Sequence, residues 1–170
     1  TPFQVVLISI VDPETGMQRR VTGVGMPLET LNMMKARQQP YTALEQLMRP
    51  EFKVGEGYLI PHDQRPLLTE DVQIVTIMRE QIAQAPNAWH PEDALFYPLK
   101  NDQGVTIGLI SLDAPRDGLR PNRSTLETVE IFAAQAALLI QSVHSLTTYK
   151  NQVETLTTSL ERQQQLLSIS

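Results

Sequence analysis

The stretch PFQVVLISIVD, residues 2–12, is apolar at most positions, and its apolar residues do not alternate with polar ones. As a strand it carries Val5 and Leu7 on one side and Val6, Ile8 and Ile10 on the other, since successive side chains point to opposite faces. A strand apolar on both faces belongs in a sheet covered on both sides. The turn-like DPETG closes it, and a second strand over residues 18–25 is expected to return antiparallel. Two short helices follow, over residues 28–38 and 42–48, separated by Pro40. FKVGEGYLIPHD, residues 52–63, reads as another strand, with Gly55-Glu56-Gly57 marking a bulge or irregularity. The long connection over residues 64–91 carries an expected helix at 71–84, with Val72, Val75, Ile77, Met78 and Ile82 as its apolar positions. DALFYPLKNDQGVTIGLISLDAP, residues 93–115, reads as a hairpin, and Gly104 in its turn takes a positive φ readily.

The last pattern is the longest. Ser124 and Glu127 have the spacing of a capping box, Pro121 precedes them, and no Gly or Pro follows. One helix over residues 124–170 would run about 70 Å at 1.5 Å per residue. Its early part, EIFAAQAALLIQ, is apolar enough to be buried. Phe132, Leu139, Leu146, Val153, Leu160 and Leu167 recur at heptad spacing, with Val143, Lys150, Thr157 and Gln164 between them. That is one good coiled-coil position and a mostly polar second, the pattern of a weak dimer seam. Fraying of the helix after residue 145 is the bland alternative. The element order defines an α+β fold, a central antiparallel sheet with helices on both faces.

Composition narrows the function. The chain has 170 residues, 41% hydrophobic and 19% charged, enough for one cored domain. A net charge of −5 without a basic run gives no footprint for nucleic acid. With no cysteine, disulfides, thiol nucleophiles and zinc–thiolate sites are excluded. No uninterrupted apolar run reaches the length of a bilayer span and no signal peptide is visible, so a cytoplasmic protein without membrane insertion is expected. The chain begins at Thr1 and is expected to be a fragment of a longer one.

IGLISLDAPRDGLRP, residues 107–121, followed by STLETVEIFAAQAALLI, residues 124–140, resembles the C-terminal half of a GAF domain. DALFYPLKNDQG looks like the preceding strand and hairpin, and FQVVLISIVD and VGEGYLIP look like the first and third strands. GAF domains are small sensory modules of bacterial signalling proteins, among others. The resemblance implies five or six strands in a GAF/PAS-like arrangement, with residues 1–145 as the sensory domain and 146–170 as a coiled-coil linker. Helices on one face would help enclose a small-molecule pocket, and terminal helices on the other would pair in a homodimer. The usual helix before the first strand is missing from the pattern. Bilin attachment and methionine sulfoxide reduction in this family work through Cys, so neither is expected here. The Asn-Lys, Phe, Asp-Glu signature of cyclic-nucleotide binders cannot be placed, since Lys100-Asn101 has the reverse order.

Tyr58, Trp89 and Tyr97 are the candidate ligand contacts, aromatics with a polar tip that suit a pocket for a flat molecule, and Ser111 is a candidate inward hydroxyl. Core packing explains the aromatics equally well. His62-Asp63 and His90-Pro91-Glu92-Asp93 bring imidazoles and carboxylates into the chain without the spacing of a metal motif, and no metal or cofactor is expected. Asp113 and Asp117-Gly118 fit a turn better than an acid–base pair. No nucleophile motif is present. The reading is a non-catalytic sensory and dimerisation domain of a multidomain protein such as a histidine kinase or cyclic-dinucleotide enzyme. An unidentified small molecule would bind it, and the last helix would pass the signal to an output domain. A structural spacer that binds nothing, and an enzyme using His62, His90 or Asp93, are the alternatives.

Overall fold

The computed structural model describes residues 1–64 and 85–169. An inner strand, β1 (Phe3–Val11), pairs antiparallel with β2 (Met17–Val24) on one side and with the central β7 (Thr106–Pro115) on the other. Beyond β7 come β6 (Ala94–Lys100), β5 (Gly57–Ile60) and β4 (Lys53–Val54), and beyond β2 lies β3 (Gln38–Pro40). All the pairings are antiparallel, in a seven-stranded sheet ordered β3-β2-β1-β7-β6-β5-β4. The strands are two more than the lower sequence expectation, and both additions are short.

β3 replaces the end of the expected first helix. α1 (Leu28–Lys35) stops early, and Gln38-Gln39-Pro40 pairs along the edge of β2 before α2 (Tyr41–Glu45) begins. Proline lacks an N–H for a ladder and is tolerated on such an edge. Residues 52–63 also differ from the single expected strand. Gly55 takes φ +60° and turns the chain, so that β4 and β5 form a small hairpin rather than one bulged strand. The hairpin of β6 and β7 matches its expectation: Gly104 has φ +77° and the Asn101 side chain accepts N–H bonds from Gln103 and Val105. The expected helix at 71–84 lies outside the described residues.

The two faces of the sheet are covered differently. Tyr41, Leu44, Leu47, Met48 and Phe52 pack over Val11, Ile60, Phe96 and Leu109 on one face, while Leu31 and Met34 of α1 cover Leu7. On the other face, Val129, Ala133 and Ala137 of α3 (Arg123–Ile169) lie over Leu95, Tyr97, Leu99, Ile110 and Leu112. β1 is apolar on both faces as its sequence requires, although Val6, Ile8 and Ile10 remain half-buried.

α3 is a helix of 47 residues. Its start differs in detail from the expected capping box. Asn122 accepts the Thr125 N–H at 3.0 Å, the work of an N-cap, and Glu127 pairs with Arg123 instead of reaching back. Contact with the sheet ends near Ile140, where Gln141 also bonds to Asp102. Every residue from Ser142 to Leu167 is exposed, a projection of about 40 Å. By length and mean hydropathy, 1.3 over its most apolar window, α3 is the one described helix that meets the requirements of a bilayer span. The buried residues of α3 are Val129, Ala133 and Ala137, so the apolar character there also serves packing on the sheet.

The β4–β5 hairpin is tied to α3 through Glu130, whose Oε1 accepts the Glu56 N–H at 2.9 Å. A Cβ on Gly55 would lie 1.8 Å from that oxygen. Gly55→Ala should therefore cost the left-handed backbone penalty of about 1–2 kcal/mol and also displace Glu130. Gly104→Ala, with similar φ and no atom within 4 Å of the new Cβ, should cost the backbone penalty alone. Urea unfolding of both variants, with and without Glu130→Ala, checks this. Glu130→Ala should destabilise the parent by about 1 kcal/mol and add little to Gly55→Ala.

Candidate ligand-binding site

The strand registers gather the buried polar residues on the α1/α2 side. Ser9 lies opposite Arg20, Val11 opposite Gln18, and Gln18 opposite Gln39, so these side chains share one face. Among the described residues the buried polar side chains are Ser9, Gln18, Arg20, Gln39 and Asp93, and none of them enters the cluster under α3. Gln39 Nε2 donates to Gln18 Oε1 at 3.3 Å. Burial first, and the nearby charge of Arg37 second, lower the Arg20 pKa from its ordinary value.

A cavity of about 50 Å³ opens over this floor. Gln18, Arg20, Ser111, Asp93 and Asp113 supply its polar lining, and Val5, Leu7, Met26, Met34, Leu44 and Phe96 supply much of the rest. Pockets for drug-sized ligands run to about 300–1,000 Å³, so this one suits only something small.

Beside the cavity Asp93 organises a knot. Its side chain has no exposed surface, yet it takes the Arg120 guanidinium on both oxygens at 2.9 and 3.0 Å. It also accepts the backbone N–H of His62 at 2.9 Å and of His90 at 3.0 Å. Burial alone would raise the Asp93 pKa, but Arg120 and the two amides outweigh it and hold the carboxyl below its ordinary value. The imidazoles of His62 and His90 stack at 3.7 Å beside it. The knot thus joins the end of β5, the start of β6 and the link from β7 to α3. Further bonds run along the same seam: Trp89 N–H to Gly118 O at 2.9 Å and Arg120 N–H to Asn87 O at 2.8 Å.

The residues singled out in the sequence fall in different places. Ser111 lines the cavity. Trp89 packs edge-on against Phe3 under α3, and its indole N–H donates to Asp113, which does line the cavity. Tyr58 is half-buried against the α2 cluster. Tyr97 lies on the opposite face, beneath α3. Its hydroxyl is buried with no hydrogen-bond partner among the described residues, and burial first, with the charge of Glu130 second, pushes its pKa up. His62, His90 and Asp93 do meet, but around a guanidinium: among the described residues no group of three His, Asp or Glu could hold a metal. Arg20, Gln18 and Gln39 escaped notice. The alternation of Gln18 and Arg20 along β2 was the available signal, and it also fits a solvated strand face.

The sheet, its helical layers and the long terminal helix define an α+β architecture with a seven-stranded antiparallel sheet. The GAF domain profile matches residues 44–140, more than half of the chain, and the protein belongs to the GAF domain family. In fold it is similar to the GAF domain/HD domain protein from Geobacter sulfurreducens, at a TM-score of 0.56 and 14% identity over 84% of this chain and 83% of that one. It is also similar to residues 122 to 287 of a methyl-accepting chemotaxis protein, at a TM-score of 0.56 and 19% identity over 85% and 81% of the two chains. No curated protein matches the sequence.

The depressed Asp93 pKa sets a pH dependence. Its ionised form contributes stability that is fully present above the ordinary value of 3.8 and is lost as pH falls through the lower folded-state value. Arg120→Met should cost about 3 kcal/mol at neutral pH, because it leaves a buried carboxylate without its cation. Urea midpoints from pH 7 downward should fall off less steeply below pH 4 for Asp93→Asn than for the parent.

Proposed function

We propose that this domain is a non-catalytic sensor of a small molecule held over the floor of Arg20, Gln18 and Ser111. It works within a larger cytoplasmic signalling protein, for which a histidine kinase or cyclic-dinucleotide enzyme is the expected type. The observation that carries this reading is the Asp93 knot. One carboxylate borders the cavity and also grips Arg120, three positions before α3 begins. A ligand that favours one arrangement of the cavity wall would favour one placement of the helix by population shift. The names of the similar structures, a GAF domain/HD domain protein and a chemotaxis protein, fit a domain that feeds an output domain.

The helix is read as half of a homodimer seam. Leu139, Leu146, Val153, Leu160 and Leu167 are exposed along it, as is Phe132 near its base. Tyr149 and Leu156, one position before Lys150 and Thr157 of the polar second position, are exposed too and broaden the apolar stripe. Val143 is a further exposed apolar residue near its start. Catalysis by the His62, His90 and Asp93 group is disfavoured because Arg120 and two amides hold Asp93 ionised. The spacer reading draws on the cavity's small volume, about 50 Å³.

Single cysteines at Leu146, Val153 and Leu160, in this chain and in its longer parent, should give symmetric disulfide dimers, and cysteines at Thr148 and Thr155 should cross-link poorly. Equal cross-linking at all positions would remove the seam. Native mass spectrometry of protein taken from cells should show a retained small molecule; its absence from every preparation would favour the spacer.

A further inference from the structure

The apolar layer beneath α3 holds a polar atom that nothing answers. Tyr97 is 1% exposed, and its hydroxyl has no hydrogen-bond partner among the described residues. A hydroxyl buried in that way forfeits the bonds it would make to water. Tyr97 stands opposite Ile110 in the sheet, and its ring tip reaches the β4–β5 hairpin, where a Cβ on Gly57 would lie 2.7 Å from Cε2 and Cζ. Gly55, at the other end of the same turn, makes room in the same way for the Glu130 carboxylate. Between the two glycines, the Glu56 N–H donates to Glu130 Oε1 at 2.9 Å.

The turn Gly55-Glu56-Gly57 thus packs its bare backbone on a phenol at one end and on a carboxylate at the other. Two residues of chain span at most about 7 Å, so these two groups are close neighbours. The charge of Glu130 acts on Tyr97 accordingly: after burial, it is the second cause of the raised phenol pKa. We infer that Tyr97 and Glu56 compete for the Glu130 carboxylate, giving the hairpin and α3 two seatings. In the one described, Glu130 holds the Glu56 N–H. In the other it accepts the Tyr97 O–H and releases the turn.

The two seatings trade comparable terms. Glu56 is exposed, so its amide, once released, is answered by water, whereas the Tyr97 hydroxyl has no such recourse. Apolar packing opposes the release, since Val54 and Leu59 on either side of the turn join the cluster under α3. An element balanced in this way has two discrete positions, and a small change at either end selects between them. Glu130 belongs to α3, so the choice decides whether the helix is tied to the edge of the sheet. The device lies on the face away from the cavity and stands whether or not a ligand binds there.

Hydrogen exchange of backbone amides in the whole chain tests it, with β6 and β7 reporting overall stability. In Tyr97→Phe the competitor is gone, and the Glu56 amide should exchange about 10-fold more slowly than in the parent, beyond any change shared with β6 and β7. Glu130→Ala should leave that amide unprotected, and adding Tyr97→Phe should then change nothing there. Should Tyr97→Phe fail to fold, relaxation dispersion at Gly55, Glu56 and Gly57 in the parent decides, with exchange between two states on the microsecond to millisecond scale as the expected result. Faster Glu56 exchange in Tyr97→Phe would mean that both donors share the carboxylate at once. That result, an unchanged rate, a change no larger than in β6 and β7, or a flat dispersion profile in the parent each overturns the proposal.

Discussion

A buried carboxylate is costly unless its charge is answered, and the architecture around the candidate site depends on how Asp93 is answered. Taking one ionised group out of water carries a penalty of several kcal/mol even after relaxation. Here a forked guanidinium and two backbone amides converge on it. The donors come from three separate parts of the chain, so satisfying one charge fixes three segments against one another. Hydrophobic contact alone would bring these segments close without setting their register, because apolar packing is not directional. Such polar knots give geometry more than net stability.

The same division runs through the sheet. The face under α3 is packed with Leu95, Leu99, Ile110 and Leu112, and its main polar exception is the Tyr97 hydroxyl. The opposite face mixes Phe96 and Leu109 with Ser9, Gln18 and Arg20. Each buried polar group in such a layer must find a partner, as Gln39 does in Gln18, or lose free energy. These polar groups are concentrated on the side that also holds the cavity.

The sequence carried the fold further than the site. Runs such as VVLISIV, the Gly104 turn and the unbroken final helix are governed by local rules, periodicity, turn chemistry and the absence of helix breakers, so they were legible. β3 was not, because an edge strand of three residues has no periodicity and Pro40 reads as a helix boundary. The β4–β5 hairpin reads as one strand because Gly55-Glu56-Gly57 does not by itself distinguish a bulge from a tight turn. Aromatic candidates were chosen for residue type, yet Tyr97 and Phe96 are adjacent and face opposite ways, which only register settles. Arg20 looked like any strand arginine. Its burial comes from α1, β3 and the strands beside it, none of which a local pattern encodes.

The way α3 is held bears on how it could carry information. Its sheet-facing residues set the small Ala133, Ala136 and Ala137 between the larger Leu126, Val129 and Ile140, whereas its polar ties stand apart at Glu130 with the hairpin and Gln141 with Asp102. Small side chains interdigitate little, so the alanines make fewer close contacts than the larger residues that flank them. The polar ties are directional and few, which favours discrete positions over a continuum. A helix with alanines in the middle of its seat and Leu126 and Ile140 at either end is therefore held most firmly at the two ends of its contact with the sheet.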